Sequence, residues 1–278
     1  MMHTPKELFS LKEKIVVITG AGGLLGRKHA EAVIAFGGIP VLLDITEKSI
    51  ESFAHELEEK YKSRVIAKVV DITNENQIKE NAKWLINEFG KIDALINNAA
   101  NNPNVEHNSD KNFSRLENFQ LDQWNKDISV GLTGAFLCSK HYGSIIAKNI
   151  NGGVIINISS DLGLIAPDQR LYSKENTKED LQPVKPVTYS VVKSGIIGLT
   201  RYLSTYWANK NVRCNAICPG GVANNQPDDF IKNVSFRIPM ERLARADEYQ
   251  GTLIWMLSDA ASYLNGAIVP VDGGRTSW

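Results

Sequence analysis

The chain has 278 residues, 43% hydrophobic and 22% charged. That is enough apolar material for one large core and too much for a disordered chain. The 31 basic and 31 acidic side chains cancel, so no global field holds nucleic acid or an anionic membrane surface. No apolar run reaches the roughly 18–20 residues of a membrane span. Residues 1–14 hold no apolar signal core and lead into a first strand at 15–19, which ends in glycines. Apolar Leu25, Val33, Ile34 and Phe36, set against polar Arg27, Lys28 and Glu31, predict a helix over 25–36. Gly37 and Gly38 stop it. A strand follows at 41–44, a charged helix to about residue 61, a strand at 65–71, a helix over 76–89 closed by Gly90, and a strand at 94–98. Then come a helix over 121–149, a strand at 154–159, a helix over 189–209, a strand at 212–218, a helix over 247–259 and a strand at 267–271.

Strict alternation with nearly all-apolar strands predicts a parallel sheet covered by helices on both faces. The expectation is one doubly wound α/β domain of about seven strands spanning 1–278. Two connections, 101–120 and 164–188, exceed the usual loop of about 2–6 residues. Both leave the strand ends, the edge where open α/β sheets bind ligands, so both are expected on the substrate side. Three cysteines are too few for a disulfide framework. Cys214 and Cys218 lie about 13 Å apart on one strand face, too far for a bridge. Without a nearby His or further Cys they form no zinc site, so buried free thiols and a cytoplasmic protein without a metal are expected.

Thr19-Gly20-Ala21-Gly22-Gly23-Leu24-Leu25-Gly26 joins the first strand to the first helix. Glycines let pyrophosphate approach the backbone amides, and the helix N-terminus adds partial positive charge. Asp44 closes the second strand, where a carboxylate accepts hydrogen bonds from both adenosine ribose hydroxyls and repels a 2′-phosphate. The expected cofactor is therefore NAD rather than NADP. Arg27 and Lys28 are the bases near enough to reverse that preference, and both fit the solvated face of the helix. Tyr189-Ser190-Val191-Val192-Lys193 places a phenol and an ammonium on one face of a helix.

These elements occur in order with Asp71-Ile72, NNAA (97–100), NISS (157–160), NAICPGG (215–221) and VDGG (271–274). Over nearly its whole length the chain resembles the short-chain dehydrogenase/reductase family, in its branch of about 250 residues. The resemblance implies a Rossmann fold and a catalytic set of Ser160, Tyr189 and Lys193. Tyr189 would be the general acid/base, its pKa lowered by Lys193 and by the oxidised nicotinamide. Ser160 would hydrogen-bond the substrate oxygen, and Ser159 would be structural. Gly20, Gly23, Leu25, Gly26 and Asp44 would hold the pyrophosphate and ribose. Asp71 and Asn97 would touch the adenine side, and Ile72, Asn98 and Ala99 would also belong to the cofactor site. Pro219, Gly220 and Val222 would sit beside the nicotinamide, and Tyr189 and Lys193 would also touch the cofactor. Tyr172 follows Ser160 at about the usual spacing, but position 176 is Asn rather than Lys.

The departures are specific. Leu24 stands where glycine is usual, and Gly20, Gly23 and Gly26 also read as G-x-x-G-x-x-G, the pattern of a longer sugar-nucleotide branch. Ala100 ends the N-N-A-G motif. Gly131 stands in V-G-L-T-G where the family carries a proton-relay Asn, and Asn224 replaces a Thr after P-G. The glycine loop, 130–139 and 219–226 are similar to bacterial oxidoreductases of flagellin modification and legionaminic-acid pathways. That similarity implies a polar small-molecule substrate, a sugar or sugar phosphate, which His107, Arg170, Lys174 and Lys178 of the long loops would meet. The family also implies a homotetramer built on the helices at 121–149 and 189–209 and on the C-terminal segment. The tail 275–278 is too short to cover its own indole, so Trp278 is expected to pack on a neighbouring subunit. The expected reaction is hydride transfer between a nicotinamide and a secondary alcohol or ketone. A sugar epimerase or dehydratase with retained NAD, and a non-catalytic NAD-sensing protein, are the alternatives.

Overall fold

The computed structural model describes residues 4–101 and 113–278. Its sheet consists of β1 (Ile15–Thr19), β2 (Ile39–Asp44), β3 (Ile66–Val69), β4 (Ala94–Asn97), β5 (Gly153–Ile158), β6 (Val212–Pro219) and β7 (Ile268–Val271). All pair in parallel, in the order β3-β2-β1-β4-β5-β6-β7. Val17 lies opposite both Val41 and Leu95, which sets β1 at the centre of the reversal. Helices α1 (Leu24–Ala35), α2 (Glu47–Tyr61) and α3 (Glu75–Phe89) make the first crossovers. Because β2 and β4 leave β1 on opposite sides, a crevice opens at the strand ends between them.

Side-chain alternation splits the core into two layers. Val16 and Ile18 face α1, α2 and the late helix α9 (Gln250–Leu257), packing with Val33, Ile50 and Leu253. Ile15 and Val17 face the other way, against Ile78 and Leu85 of α3 and against Tyr142. Tyr142 is fully buried, and its hydroxyl donates to Asn81 Oδ1 at 2.8 Å, so the polar tip costs little. Each fully buried Leu or Ile in these layers contributes about 1.5–3 kcal/mol. Cys214 and Cys218 are buried free thiols, as expected, and so is Cys138.

The helix predicted at 121–149 is one rod with two irregularities. Its pieces α4 (Leu121–Ile128), α5 (Gly134–Cys138) and α6 (Ser144–Ile146) are joined by π-helical turns at Ser129–Thr133 and Ser139–Gly143. Hydrophobic spacing does not announce a π turn, which inserts one extra residue into an otherwise helical pattern. Helix α7 (Val187–Tyr206) starts just after Pro186, two residues before the predicted boundary. A short helix, α8 (Asp228–Ser235), was not predicted. Its Val234 packs with Leu171, Ile238 and Leu243, and Tyr172 and Phe230 join them. The connection 164–188 is therefore not a bare loop: it folds into short turns at Gln169–Tyr172 and Glu179–Leu181, the first seated on α8. Most of 101–120, with His107, lies outside the described residues.

His29 of α1 is fully buried, and neither ring nitrogen has a hydrogen-bond partner among the described residues. Burial lowers its pKa from 6.5 to about 4. The unfolded chain therefore takes up a proton below about pH 6.5 that the folded chain refuses until about pH 4. Stability falls across that window as pH drops, by about 3 kcal/mol in full. Replacing His29 with Leu should remove about 2 kcal/mol of the loss between pH 7 and pH 4.5, read from urea unfolding at both pH values. Equal losses in the two proteins would show that His29 is not the acid-sensitive group.

Candidate active site at the strand ends

A cleft of about 690 Å³ runs along the ends of β1 to β6. Gly20 adopts φ +63°, a left-handed turn that carries the chain from β1 towards α1. A side chain at Gly26 would meet the Gly20 carbonyl oxygen at 2.2 Å, so glycine there lets α1 sit tightly against the turn. No side chain caps α1 at Gly23, which leaves its first amides facing the cleft region. Asp44 accepts hydrogen bonds from the Gly22 N–H at 3.0 Å and the Thr46 N–H at 3.1 Å, and lies on the cleft wall. The Arg27 guanidinium donates to the Gly22 and Ser49 carbonyls and lies 4.6 Å from the Phe53 ring centroid. Lys28 pairs with Glu31 at 2.9 Å. Neither base lines the cleft.

Gly20, Gly23, Leu25, Asp44, Asp71, Ile72, Asn98, Ala99, Ser160, Tyr189, Lys193, Pro219, Gly220 and Val222 all line this one cleft. Gly26 does not, since it lies beneath the turn. Asn97 also departs from its expected place beside the adenine. Its amide donates to Ser139 Oγ at 3.0 Å and Asn157 Oδ1 at 2.8 Å, binding β4 to the helical rod and β5. Asn98 points the other way and donates to the Thr19 and Gly20 carbonyls, which locks the glycine turn to the end of β4. Ser159 is structural in the way expected: its hydroxyl donates to the Lys193 carbonyl at 2.7 Å.

Lys193 is buried, and its Nζ donates to the Ile158 carbonyl at 2.9 Å. Burial lowers it to about 8. Burial also raises the Tyr189 phenol above its ordinary value, while a hydrogen bond with Ser160 pulls it back. The expected lowering is thus not what the protein's own groups produce, because desolvating a phenolate outweighs them. Ser160 Oγ donates to Asp161 Oδ1 at 2.7 Å. Burial raises Asp161 too, and Ser160 and Arg275 act against the rise. Arg275 comes from the last turn, with its Nε 3.0 Å from Asp161 Oδ2 and both side chains buried. That nitrogen is not aligned for a hydrogen bond, so the contact is Coulombic. Asp272 Oδ1 and Oδ2 accept from the Gly274 and Thr276 N–H groups and hold this turn in place.

Gly131 lies in the first π turn, and a Cβ there would meet Val192 Cγ1 at 2.5 Å. The absence of Asn is thus a packing solution: α7 occupies the volume that a side chain would need. One turn earlier, buried Asp127 accepts from Asn101 Nδ2, Gln123 Nε2 and Thr188 Oγ1 at 2.7, 2.7 and 2.5 Å. It ties the β4 end to the start of α7, next to Tyr189. Sequence reading missed Asp127, Asp161, Lys185 and Arg275, since charged residues carry no pattern that says which will be buried. Arg170 does not turn to the cleft but pairs with Asp168 at 2.8 Å, and its side chain is largely exposed. Lys174 and Lys178 are exposed. Among the described residues no cluster of His, Cys, Asp or Glu could hold a metal ion, and no helix is long and apolar enough to cross a membrane.

A family model described as Enoyl-(Acyl carrier protein) reductase matches residues 20–276. An NADP-dependent mannitol dehydrogenase from Alternaria alternata is 30% identical over 276 residues, covering 97% of this chain and 94% of its own. The chain belongs to the short-chain dehydrogenase/reductase family. It is an oxidoreductase that acts on CH–OH groups, and its family binds a nicotinamide cofactor. Post-translational flagellin modification protein A from Campylobacter coli is 26% identical, covering 95% of this chain and 98% of its own. The crystal structure of a putative short-chain alcohol dehydrogenase from Sinorhizobium meliloti superposes with a TM-score of 0.82 at 27% identity, over 97% of this chain and 99% of that one.

Proposed function

We propose that this member of the family is an NAD-preferring dehydrogenase that interconverts a secondary alcohol and a ketone on a polar substrate, a polyol, sugar or sugar phosphate. The observation that carries the reading is the convergence of Ser160, Tyr189 and Lys193 on the cleft that also holds the glycine turn and Asp44. The nicotinamide, when bound, supplies the hydride acceptor or donor. The open amides of α1 would hold its pyrophosphate, Asp44 the adenosine ribose, and Asp71 and Ile72 would flank the adenine. Pro219, Gly220 and Val222 would border the nicotinamide end.

During oxidation Tyr189 Oη takes the proton of the substrate hydroxyl, and during reduction it returns it. Ser160 turns its hydroxyl from Asp161 to the substrate oxygen and orients the reacting carbon. Lys193, held by the Ile158 carbonyl, favours the ionised phenol. Incubation with NAD and a panel of mannitol, sugars and sugar phosphates, followed by NADH absorbance, tests the reaction. Stoichiometric NADH supports it. Interconversion of a panel member with no net NADH would replace it with an epimerase that retains its cofactor.

The NAD preference is supported by Asp44 on the cleft wall and by the engagement of Arg27 and Lys28 elsewhere. It runs against the NADP dependence of the mannitol dehydrogenase relative. NAD is expected to bind at least about tenfold tighter than NADP, a gap of about 1.4 kcal/mol. Titrating both into the protein decides the matter, and equal affinities would mean that Arg27 or Lys28 swings to a 2′-phosphate.

A homotetramer is the assembly we propose. The two long helices pack together, and they leave Phe136, Tyr202 and Tyr206 largely exposed, with the two tyrosine rings stacked at 5.5 Å. Such exposed aromatic surface supports an interface on these helices. Light scattering at micromolar concentration should return four subunits, and a monomer mass would refute the interface. A cytoplasmic location accords with three buried free thiols.

A further inference from the structure

Lys185 belongs to no motif, yet its Nζ lies 3.8 Å from the centroid of the Tyr189 ring. The Nζ of Lys193, the lysine of the Y-x-x-x-K pattern, is 5.8 Å from the same centroid. The chain itself holds Lys185 there. Its N–H donates to Gln169 Oε1 at 2.8 Å, tying it to the turn that packs on α8. Pro186 follows and keeps its backbone extended, and α7 begins at Val187.

An ammonium over an aromatic face is attracted by the negative face of the π system. The attraction strengthens when the phenol ionises, because phenolate charge spreads into the ring. A cation in this position therefore favours phenolate over phenol. We propose that Lys185 is a second electrostatic activator of Tyr189, a positioning residue that acts on the reaction through the tyrosine. The proposal rests on Tyr189 as the acid/base.

Among the described residues, the surrounding charges fit this role. Asp161, beyond β5, disfavours the phenolate, and Arg275 of the last turn lies 3.0 Å from that carboxylate. Burial raises Tyr172 to about 12 and Cys218 of β6 to about 11, so both are neutral near pH 7. Burial brings Lys185 and Lys193 each down to about 8, and Lys185 is one of the groups that lower Lys193. A phenolate at Tyr189 would in turn raise both amines, whose Nζ atoms lie 3.8 and 5.8 Å from its ring centroid, so the three ionisations are coupled.

The ultraviolet tyrosinate band reads this without any substrate. Subtracting the pH titration of Tyr189→Phe from that of the wild type isolates one of the 8 tyrosines. The same subtraction is made in a Lys185→Gln background and in a Lys185→Met background, the latter keeping the packing of the aliphatic stem. The Tyr189 midpoint should rise by about one pH unit in both, and Lys185→Arg should restore it. An unmoved midpoint overturns the proposal. With a turnover substrate, the acid limb of kcat for oxidation should move up in step. A raised KM for an anionic substrate with the pH profile unmoved would make Lys185 a substrate contact and also overturn it. Failure of the acid/base reading shows separately, as turnover retained by Tyr189→Phe.

Discussion

Tyr189→Phe is expected to lower kcat by about 10²–10⁴-fold while leaving nicotinamide cofactor affinity within about threefold of wild type. The substitution removes one oxygen and keeps the ring, so the packing of α7 survives. The glycine turn and Asp44 lie on other elements, β1, α1 and β2, and do not depend on the phenol. On the proposed mechanism, loss of the hydroxyl would leave Ser160 to polarise the substrate oxygen but no group at that position to accept or return its proton. Steady-state turnover and cofactor titration on the same preparation separate the two effects. A variant that keeps more than about a tenth of wild-type kcat would remove Tyr189 from the mechanism.

Arg275→Met should cost about 3–5 kcal/mol of stability, the usual consequence of stranding one partner of a buried ion pair. The stranded partner is Asp161, buried beside Ser160. Without the guanidinium its pKa rises further, and the protonated acid can donate to Ser160 instead of accepting from it. The damage therefore reaches the site, and turnover should fall with stability. Denaturant unfolding of Arg275→Met, Asp161→Asn and the double variant closes a cycle. The double variant should recover part of the loss, because no unpaired charge remains. A single-variant loss below about 1 kcal/mol would place the pair in a solvated setting. The same contact changes the meaning of a truncation. Deleting residues 275–278 removes Arg275 as well as exposed Trp278, so a lost tetramer in that variant would not by itself assign Trp278 to an interface.

Much of the architecture was legible in the amino-acid order for physical reasons. Parallel strands covered on both faces must be apolar at nearly every position, so β1, β4 and β5 stand out as unbroken runs. The glycine turn is legible because a left-handed residue such as Gly20 and a close approach such as Gly26 exclude other residues. Tyr189 and Lys193 are legible because i and i+4 share a helix face wherever the helix packs. Strand and helix ends were less so: β3 stops at Val69, and Val70 and Asp71 turn into the cleft wall, although the apolar run continues past the strand.

Only the tertiary structure decided which charges are buried and what they meet. Asp161 and Arg275 come from opposite ends of the second half of the chain, and the last turn, held by Asp272, brings them together. Asp127 sits among polar neighbours in a helix whose sequence marks no site, and it is buried only because Asn101 and Thr188 converge on it. Gly131 looks like a missing catalytic side chain until Val192 is seen to fill its volume. Lys185 looks like a loop residue until Pro186 and Gln169 set it over the Tyr189 ring. Periodicity is a local property of the backbone and survives any packing. The environment of an ionisable group is a sum over distant partners, and it exists only once the fold has assembled them.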